Sequence, residues 1–177
     1  IKNVPVSSVF VGNGSDEVID LTYRIFCNPG KDKALTFAPT YGMYEVSAEI
    51  NDVELIKIPL TTDFQIDFDA LENYLGDENL KLIFICSPNN PTANSLNNIE
   101  KVLQKFNGIV IVDEAYIDFS KAGSFLTKID QYPNLIVMQT FSKAWGLAAA
   151  RVGMAYSNEL IISLYNKVKP PYNVSKP

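Results

Sequence analysis

Short runs of apolar residues recur along the chain without the strict alternation of a strand that has one face in water. Continuous apolar runs of this kind are typical of strands that are buried on both faces. The runs predict strands over residues 34–37, 54–58, 80–86, 108–112, 135–139 and 152–155. We therefore expect a central sheet that is covered on both sides.

Between these runs, apolar residues recur at the three- and four-residue spacing of amphipathic helices. One helix is predicted after Ser15, which we expect to cap it, a second from Asn97 or Asn98, and a third over 161–168. Alternating strands and helices predict a three-layer α/β/α fold with a mostly parallel central sheet. We expect a single domain over residues 1–177.

Composition narrows the class of function. The net charge of −5 leaves no basic surface for nucleic acid, so we expect no nucleic-acid partner. No apolar run approaches the roughly 18 residues of a membrane span, and no signal peptide is visible, so we expect a cytoplasmic protein without a membrane partner. The chain contains no histidine and two distant cysteines, which argues against a zinc site or a Ser-His triad. We expect no metal.

The first candidate motif, GNGSDE, is a glycine-rich turn that leads into a helix. In open α/β sheets ligands bind beyond the carboxyl ends of the strands, and here the backbone N–H groups at Ser15 and Asp16 would point at an anion. A plain turn with a helix cap is the alternative. A dinucleotide-binding motif fits poorly, because Glu17 takes its third glycine position and no acidic residue ends the second strand.

Two more strand ends present candidate side chains. Tyr41 follows the run 34–37, and its ring could stack on a planar ligand. Asn90 lies between Pro88 and Pro91, which restrict the backbone and present its amide to a ligand oxygen. Ordinary packing of the tyrosine and simple turn formation by the asparagine are the alternatives.

Asp113 comes directly after four consecutive apolar residues, where the predicted central strand leaves the sheet. A carboxylate at that depth needs a partner, because an unpaired buried charge is costly. A protonated ring nitrogen of a ligand would serve. A lysine or arginine elsewhere in the chain is the alternative.

The stretch TFSKAWGLAAARVG follows the next predicted strand. Small residues surround Lys143, so we expect it to lie in a crowded, partly dry place that favours its neutral amine, which could then form a Schiff base. The planar guanidinium of Arg151 suits two oxygens of a phosphate. A solvated surface lysine is the alternative.

Taken together, the motifs GNGSDE, APTYGMY, SPNNPT, DEAYIDF and TFSKAWGLAAARVG resemble, in this order, those of the pyridoxal-phosphate (PLP) aminotransferases of fold type I. The resemblance spans nearly the whole chain and is strongest to the class II histidinol-phosphate aminotransferases. It implies a PLP-dependent homodimer that transfers an amino group between histidinol phosphate and 2-oxoglutarate in histidine biosynthesis. An aromatic-amino-acid aminotransferase, a threonine-phosphate decarboxylase and a non-catalytic cofactor-binding domain are the alternatives.

The resemblance also implies a role for each candidate residue. Lys143 would bind the cofactor as a Schiff base and then move a proton as a general base. Asp113 would keep the pyridine nitrogen protonated. Asn90 and Tyr116 would donate to the phenolic oxygen, and Tyr41 would stack on the ring. The predicted catalytic residues are thus Lys143, Asp113 and Tyr116.

The cofactor phosphate has its own predicted set of contacts. The resemblance assigns to it the backbone at Ser15 and Asp16, the hydroxyl of Ser142, and Arg151. A helix N-terminus and a guanidinium would then meet at one dianion.

The chain departs from the family pattern in two places. Alanines occupy 93 and 148–150, where the family usually carries a glycine, and we expect negative φ angles and small adjustments only. An N-terminal arm and a C-terminal small domain, which brings an arginine for the substrate carboxylate, are not recognised in 1–177. We therefore expect the PLP-binding large domain of a longer protein, inactive by itself.

Overall fold

The computed structural model describes residues 4–174, which form a seven-stranded sheet with helices on both faces. The strands are β1 (Val9–Asn13), β2 (Lys33–Ala38), β3 (Glu54–Pro59), β4 (Leu80–Cys86), β5 (Ile109–Asp113), β6 (Leu135–Thr140) and β7 (Val152–Tyr156). The helices are α1 (Gly14–Phe26), α2 (Met43–Ile50), α3 (Phe68–Glu72), α4 (Ile99–Lys105) and α5 (Glu159–Val168). Short 3-10 helices cover Val6–Ser8, Ile117–Phe119, Phe125–Lys128 and Ala148–Ala150.

The sheet is mostly parallel, as predicted. Its strand order is β1-β7-β6-β5-β4-β2-β3, and the strands from β2 to β6 all run in the same direction. Only β7 runs against its neighbours, β6 and β1. The start of β7 therefore lies at the same edge of the sheet as the ends of the other strands.

Each face of the sheet has its own hydrophobic core. One core packs α1, α2 and α5 against the sheet, and its largest fully buried side chains include Tyr23, Tyr44 and Tyr165. The other packs α3 and α4 against the opposite face through Leu71 and Ile99. The continuous apolar runs of β4, β5 and β6 supply side chains to both cores, so the predicted three-layer fold is confirmed.

All the predicted strands are present, with small shifts at their ends. The run 108–112 corresponds to Ile109–Asp113, which places Asp113 inside the strand. Asn98, one of two predicted starts, precedes α4. The predicted Ser15 cap is wrong: α1 begins at Gly14, because the Gly14 N–H donates to the Arg151 carbonyl at 2.8 Å and turns the chain earlier. The sequence reasoning did not predict β1, α2 or α3.

The predicted single domain extends over residues 1–177, of which 1–3 and 175–177 lie outside the described part. Within 4–174, no helix has both the length and the apolar character that crossing a membrane requires.

Candidate active site

The predicted site residues all lie around one cleft at the carboxyl edge of the sheet. Strands β2, β4, β5 and β6 end at this edge, and the reversed β7 brings its first residues to it. The predicted residues that line the cleft are Ser15, Asp16, Tyr41, Asn90, Asp113, Tyr116, Ser142, Lys143 and Arg151. Cys86, Ala115 and Thr140 complete the lining.

Asp113 forms the floor of the cleft and is 3% exposed. One carboxylate oxygen accepts a hydrogen bond from the Tyr44 hydroxyl at 2.6 Å, and the other accepts from the Ala115 N–H at 3.0 Å. Burial raises the pKa of Asp113 to about 6. Among residues 4–174, no lysine or arginine forms an ion pair with it, so the alternative of a structural ion pair is not supported.

Tyr44 is a site residue that the sequence reasoning missed. Its ring is fully buried, stacks on Phe84 at 4.9 Å between centroids, and makes a T-shaped contact with the Tyr41 ring at 5.7 Å. Burial and the Asp113 carboxylate hold the pKa of Tyr44 well above its usual value, so the hydroxyl keeps its proton and donates it. Tyr44 lies in the APTYGMY motif, but its hydrogen-bond partner Asp113 is 69 positions away along the chain. No local sequence pattern therefore indicates this contact.

A close approach of α1 and β7 forms the other end of the cleft. Gly14 has φ of +78°, and a Cβ on Gly153 would overlap the carbonyl carbon of Gly14 and the amide nitrogen of Ser15. Glycine at these positions lets the first turn of α1 lie directly on the start of β7. The N-terminal N–H groups of α1 and the Arg151 guanidinium consequently face the same end of the cleft, which suits an anion.

Asp16 links two of the predicted residues. One of its carboxylate oxygens accepts from the Tyr41 hydroxyl at 3.0 Å, and the other accepts from Arg151 Nη2 at 3.2 Å. The pair between Asp16 and Arg151 is partly exposed, so it contributes little to stability. An arginine has five N–H donors, so Arg151 retains donors for a bound anion.

Lys143 lines the cleft, but its environment differs from the prediction. Its Nζ lies 5.4 Å from the centre of the Tyr116 ring. The expectation of a crowded, partly dry place is wrong, because the whole segment 143–151 is exposed, including Trp145 at 57% and Leu147 at 48%. The small side chains cover little area, and within residues 4–174 nothing packs over them.

Asn90 owes its placement to the residue before it. The Asn89 amide is buried, and it donates to the Pro39 carbonyl at 2.9 Å and to Thr92 Oγ1 at 2.7 Å. The side-chain oxygen Oδ1 of Asn89 accepts from Thr40 Oγ1 at 3.0 Å. These bonds fix the loop and leave Asn90 at the wall of the cleft.

Ala93 lies in the same loop and contradicts the expectation of a negative φ. Its φ is +62°, in the left-handed region that favours glycine. The physical reason is a tight turn, because the Ala93 N–H donates to the Asn89 carbonyl at 2.8 Å. Residues 148–150 show no positive φ, so the expectation holds for them.

Glu114 is a second residue that the sequence reasoning missed. Its side chain is 1% exposed and accepts hydrogen bonds from Ser124 Oγ at 2.5 Å, the Phe125 N–H at 2.6 Å and Gln139 Nε2 at 2.7 Å. These bonds anchor the loop that follows β5. Tyr116 lies in that loop, so Glu114 supports the wall of the cleft.

A buried acid, a lysine and an end suited to an anion lie together at the carboxyl edge of a mostly parallel sheet, an arrangement suited to a small, charged ligand. The family is given by the model described as "Aminotransferase class I and II", which matches residues 1–177. The chain belongs to this family. The predicted fold class, the large domain of fold type I, is confirmed by the match of its architecture to solved members of that fold.

Individual proteins give a finer comparison. The chain is 55% identical to the histidinol-phosphate aminotransferase of Cytophaga hutchinsonii over 177 residues, which cover 99% of this chain and 51% of the relative. The histidinol-phosphate aminotransferase of Clostridium acetobutylicum matches at a TM-score of 0.84 and 26% identity, over 94% of this chain and 50% of that one. The histidinol-phosphate aminotransferase of Sinorhizobium meliloti, solved in complex with pyridoxal-5'-phosphate, matches at a TM-score of 0.84 and 25% identity. This match covers 96% of this chain and 47% of that one. The chain thus spans about half the length of these relatives.

Proposed function

We propose that this chain is the cofactor-binding part of a PLP-dependent aminotransferase that transfers an amino group between histidinol phosphate and 2-oxoglutarate. Family membership and 55% identity to a histidinol-phosphate aminotransferase support this proposal. The observation that carries it is the cleft itself, which gathers Lys143, Asp113 and Arg151 with the other predicted residues. We retain a cytoplasmic homodimer as part of the proposal.

The residues of the cleft fit PLP. Asp113 is a buried acid that forms no ion pair within residues 4–174, and a protonated ring nitrogen would supply the missing positive charge. The N-terminus of α1, Ser142 and Arg151 form an end suited to a phosphate dianion. Lys143 contributes a primary amine that can bind an aldehyde.

The bound cofactor would supply an electron sink for the amine-bearing carbon of the substrate joined to it. Asp113 would hold the positive charge at the ring nitrogen. The Lys143 amine would take the proton from the substrate α-carbon and deliver it to C4′ of the cofactor, which is general acid–base catalysis by one group. Asn90 and Tyr116 would orient the ring through its phenolic oxygen, and Tyr41 would cover one of its faces.

Covalent trapping tests the cofactor part of the proposal. The protein is mixed with PLP, reduced with borohydride and digested, and the modified peptide is identified by mass spectrometry. We expect a stoichiometric adduct on Lys143. Exposed lysines such as Lys31 serve as internal controls, and a label spread evenly over them would contradict the proposal.

Substrate choice is tested with the full-length protein. We expect formation of glutamate from 2-oxoglutarate to depend on histidinol phosphate. Aromatic amino acids and threonine phosphate are the comparison substrates. A higher kcat/KM for either, or decarboxylation in place of transamination, would replace the proposed substrate while leaving the cofactor part intact.

A further inference from the structure

We propose that Tyr44 is a positioning residue whose hydroxyl holds the Asp113 carboxylate in the orientation and charge state that a protonated ring nitrogen requires. The proposal rests on the proposed function, because that nitrogen belongs to PLP. Tyr44 itself is absent from the lining of the cleft, so it acts through Asp113 and not on the ligand.

The geometry leaves the carboxylate little freedom. The Tyr44 hydroxyl donates to one oxygen of Asp113 at 2.6 Å, and the Ala115 N–H donates to the other at 3.0 Å. Two donors on opposite oxygens fix the plane of the carboxylate as well as its position. Since Asp113 is the last residue of β5, its backbone is held by the sheet.

Tyr44 is itself held rigidly. Its ring is fully buried, stacks on the ring of Phe84 and makes a T-shaped contact with the ring of Tyr41. Its carbonyl accepts a hydrogen bond from the Tyr23 hydroxyl at 2.9 Å. A side chain fixed on several sides is preorganised, so its hydrogen bond to Asp113 requires no rearrangement when a ligand binds.

The chemistry of the pair favours the charged form of Asp113. Burial raises the pKa of Asp113 to about 6, and the hydrogen bonds from Tyr44 and Ala115 oppose that rise. Tyr44 stays protonated, because burial and the nearby carboxylate hold the pKa of its hydroxyl far above the usual value. Removing this hydroxyl takes away one of the two donors, so the pKa of Asp113 rises further and less of the carboxylate is charged near neutral pH.

Other groups that titrate or carry charge also face Asp113. They are Asp16 on α1, Tyr41 before α2, Cys86 at the end of β4, Glu114 and Tyr116 after β5, Lys143 after β6 and Arg151 before β7. Asp16 and Glu114 raise the pKa of Asp113. Replacing Tyr44 by phenylalanine leaves all of these groups in place, so a change in pH dependence reports the hydroxyl alone.

The test compares Tyr44→Phe with the wild type in the full-length protein. Phenylalanine keeps the ring and its stacking on Phe84, and near-UV circular dichroism checks that the core is retained. Tyr165→Phe is the matched control, because Tyr165 is equally buried in the same core and its hydroxyl meets Thr22 Oγ1, away from the cleft.

The readout is the dissociation constant of PLP, measured by fluorescence titration from pH 5.5 to 9. We expect Tyr44→Phe to bind PLP about tenfold more weakly at pH 7.5, the effect of one hydrogen bond to a charged group. Binding weakens as protonation removes the charge of Asp113, so the pH at which it is lost moves upward by about one unit in Tyr44→Phe. Tyr165→Phe is expected to match the wild type in both respects.

A double variant separates positioning from a general loss of structure. In an Asp113→Asn background no charge remains to be stabilised, so adding Tyr44→Phe is expected to change PLP affinity less than twofold. The inference would be overturned if Tyr44→Phe weakened PLP binding equally in the wild-type and Asp113→Asn backgrounds. It would also be overturned if the pH dependence of PLP binding by Tyr44→Phe matched that of the wild type. Failure of the wild type to bind PLP would instead overturn the proposed function.

Discussion

At the scale of single residues, the buried carboxylate of Asp113 destabilises the folded protein at neutral pH. Its proposed role in binding the cofactor explains why such a residue is present. Burial raises its folded pKa from the ordinary 3.8 to about 6. Between these two values the folded state binds more protons than the unfolded state, so stability falls as the pH rises through this window. Active sites often keep such unfavourable groups because function requires them.

The first prediction follows from this linkage. Asp113→Asn removes the buried charge, so the cofactor-free variant is expected to be about 3 kcal/mol more stable than the wild type at pH 8. At pH 4 the wild-type carboxyl is already neutral in the folded state, and no gain is expected. Urea denaturation at both pH values measures the difference.

The matched control is Asp118→Asn, at an exposed aspartate in the same loop region. We expect its stability to follow the wild type at pH 4 and pH 8. If Asp113→Asn raised the free energy of unfolding equally at both pH values, burial of charge would not be the cause of the increase.

Ala93 gives a second prediction at this scale. Its φ of +62° costs roughly 1–2 kcal/mol for a residue with a Cβ, while glycine loses about 0.5–1 kcal/mol more chain entropy on folding. Ala93→Gly is therefore expected to stabilise the protein by about 0.5–1 kcal/mol, measured as a rise in the urea midpoint. Ala150→Gly, in a short helix with ordinary backbone angles, is the control and is expected to be neutral or destabilising.

At the scale of elements, the site depends on how closely β7 approaches α1. A methyl group on Gly153 would overlap backbone atoms of Gly14 and Ser15, which cannot move aside as a flexible side chain does. Gly153→Ala is therefore expected to cost about 3 kcal/mol or more in the free energy of unfolding, and to weaken phosphate binding at the α1 N-terminus. Urea denaturation and titration with inorganic phosphate measure the two effects.

Gly42→Ala is the control for this third prediction. Its backbone is helical, with φ of −67°, and no atom lies within 4 Å of the added methyl group. We expect Gly42→Ala to change stability by less than about 0.5 kcal/mol. Similar losses for both glycine variants would show that the close contact of β7 and α1 is unimportant.

How well each element could be predicted depended on its burial. β4, β5 and β6 are buried on both faces, so their continuous apolar runs marked them clearly. β1 lies at the edge of the sheet, has alternating burial and contains a glycine, so it gave no such run. α3 is only five residues long and too short to show a helical period. The buried central strands could thus be predicted, and so could the edge strand β3, whereas β1 and the short α3 could not.

The site residues also fall into those that the sequence could predict and those that it could not. Residues directly after strands were predictable, because a parallel sheet brings the ends of its strands to one edge. Tyr44 was missed, and so was Glu114 although it directly follows β5, because each acts through hydrogen bonds to residues on other elements and does not line the cleft. Such partners are set by packing, which a motif does not contain.

At the scale of the whole molecule, the main feature is that the cleft is open to solvent on the side of Lys143. Trp145 and Leu147 expose about half of their surface beside Lys143, whereas residues that assist a reaction are usually shielded from water. The sequence suggested a crowded place because small residues often accompany close packing. Small residues allow a neighbour to approach but do not supply one, so the environment of Lys143 could not be predicted from them.

The relatives are about twice as long as this chain, so parts of a longer protein outside residues 1–177 are the natural candidates to cover segment 143–151. The last prediction is that residues 1–177 alone bind PLP but transaminate on the order of a thousandfold more slowly than the full-length protein. Loss of groups that bind charge in the transition state has effects of this size. Side-by-side assays with histidinol phosphate and 2-oxoglutarate, each with PLP bound, measure the ratio. A rate for 1–177 within tenfold of the full-length rate would mean that the cleft described here is sufficient for catalysis, and that an exposed Lys143 can work without a cover.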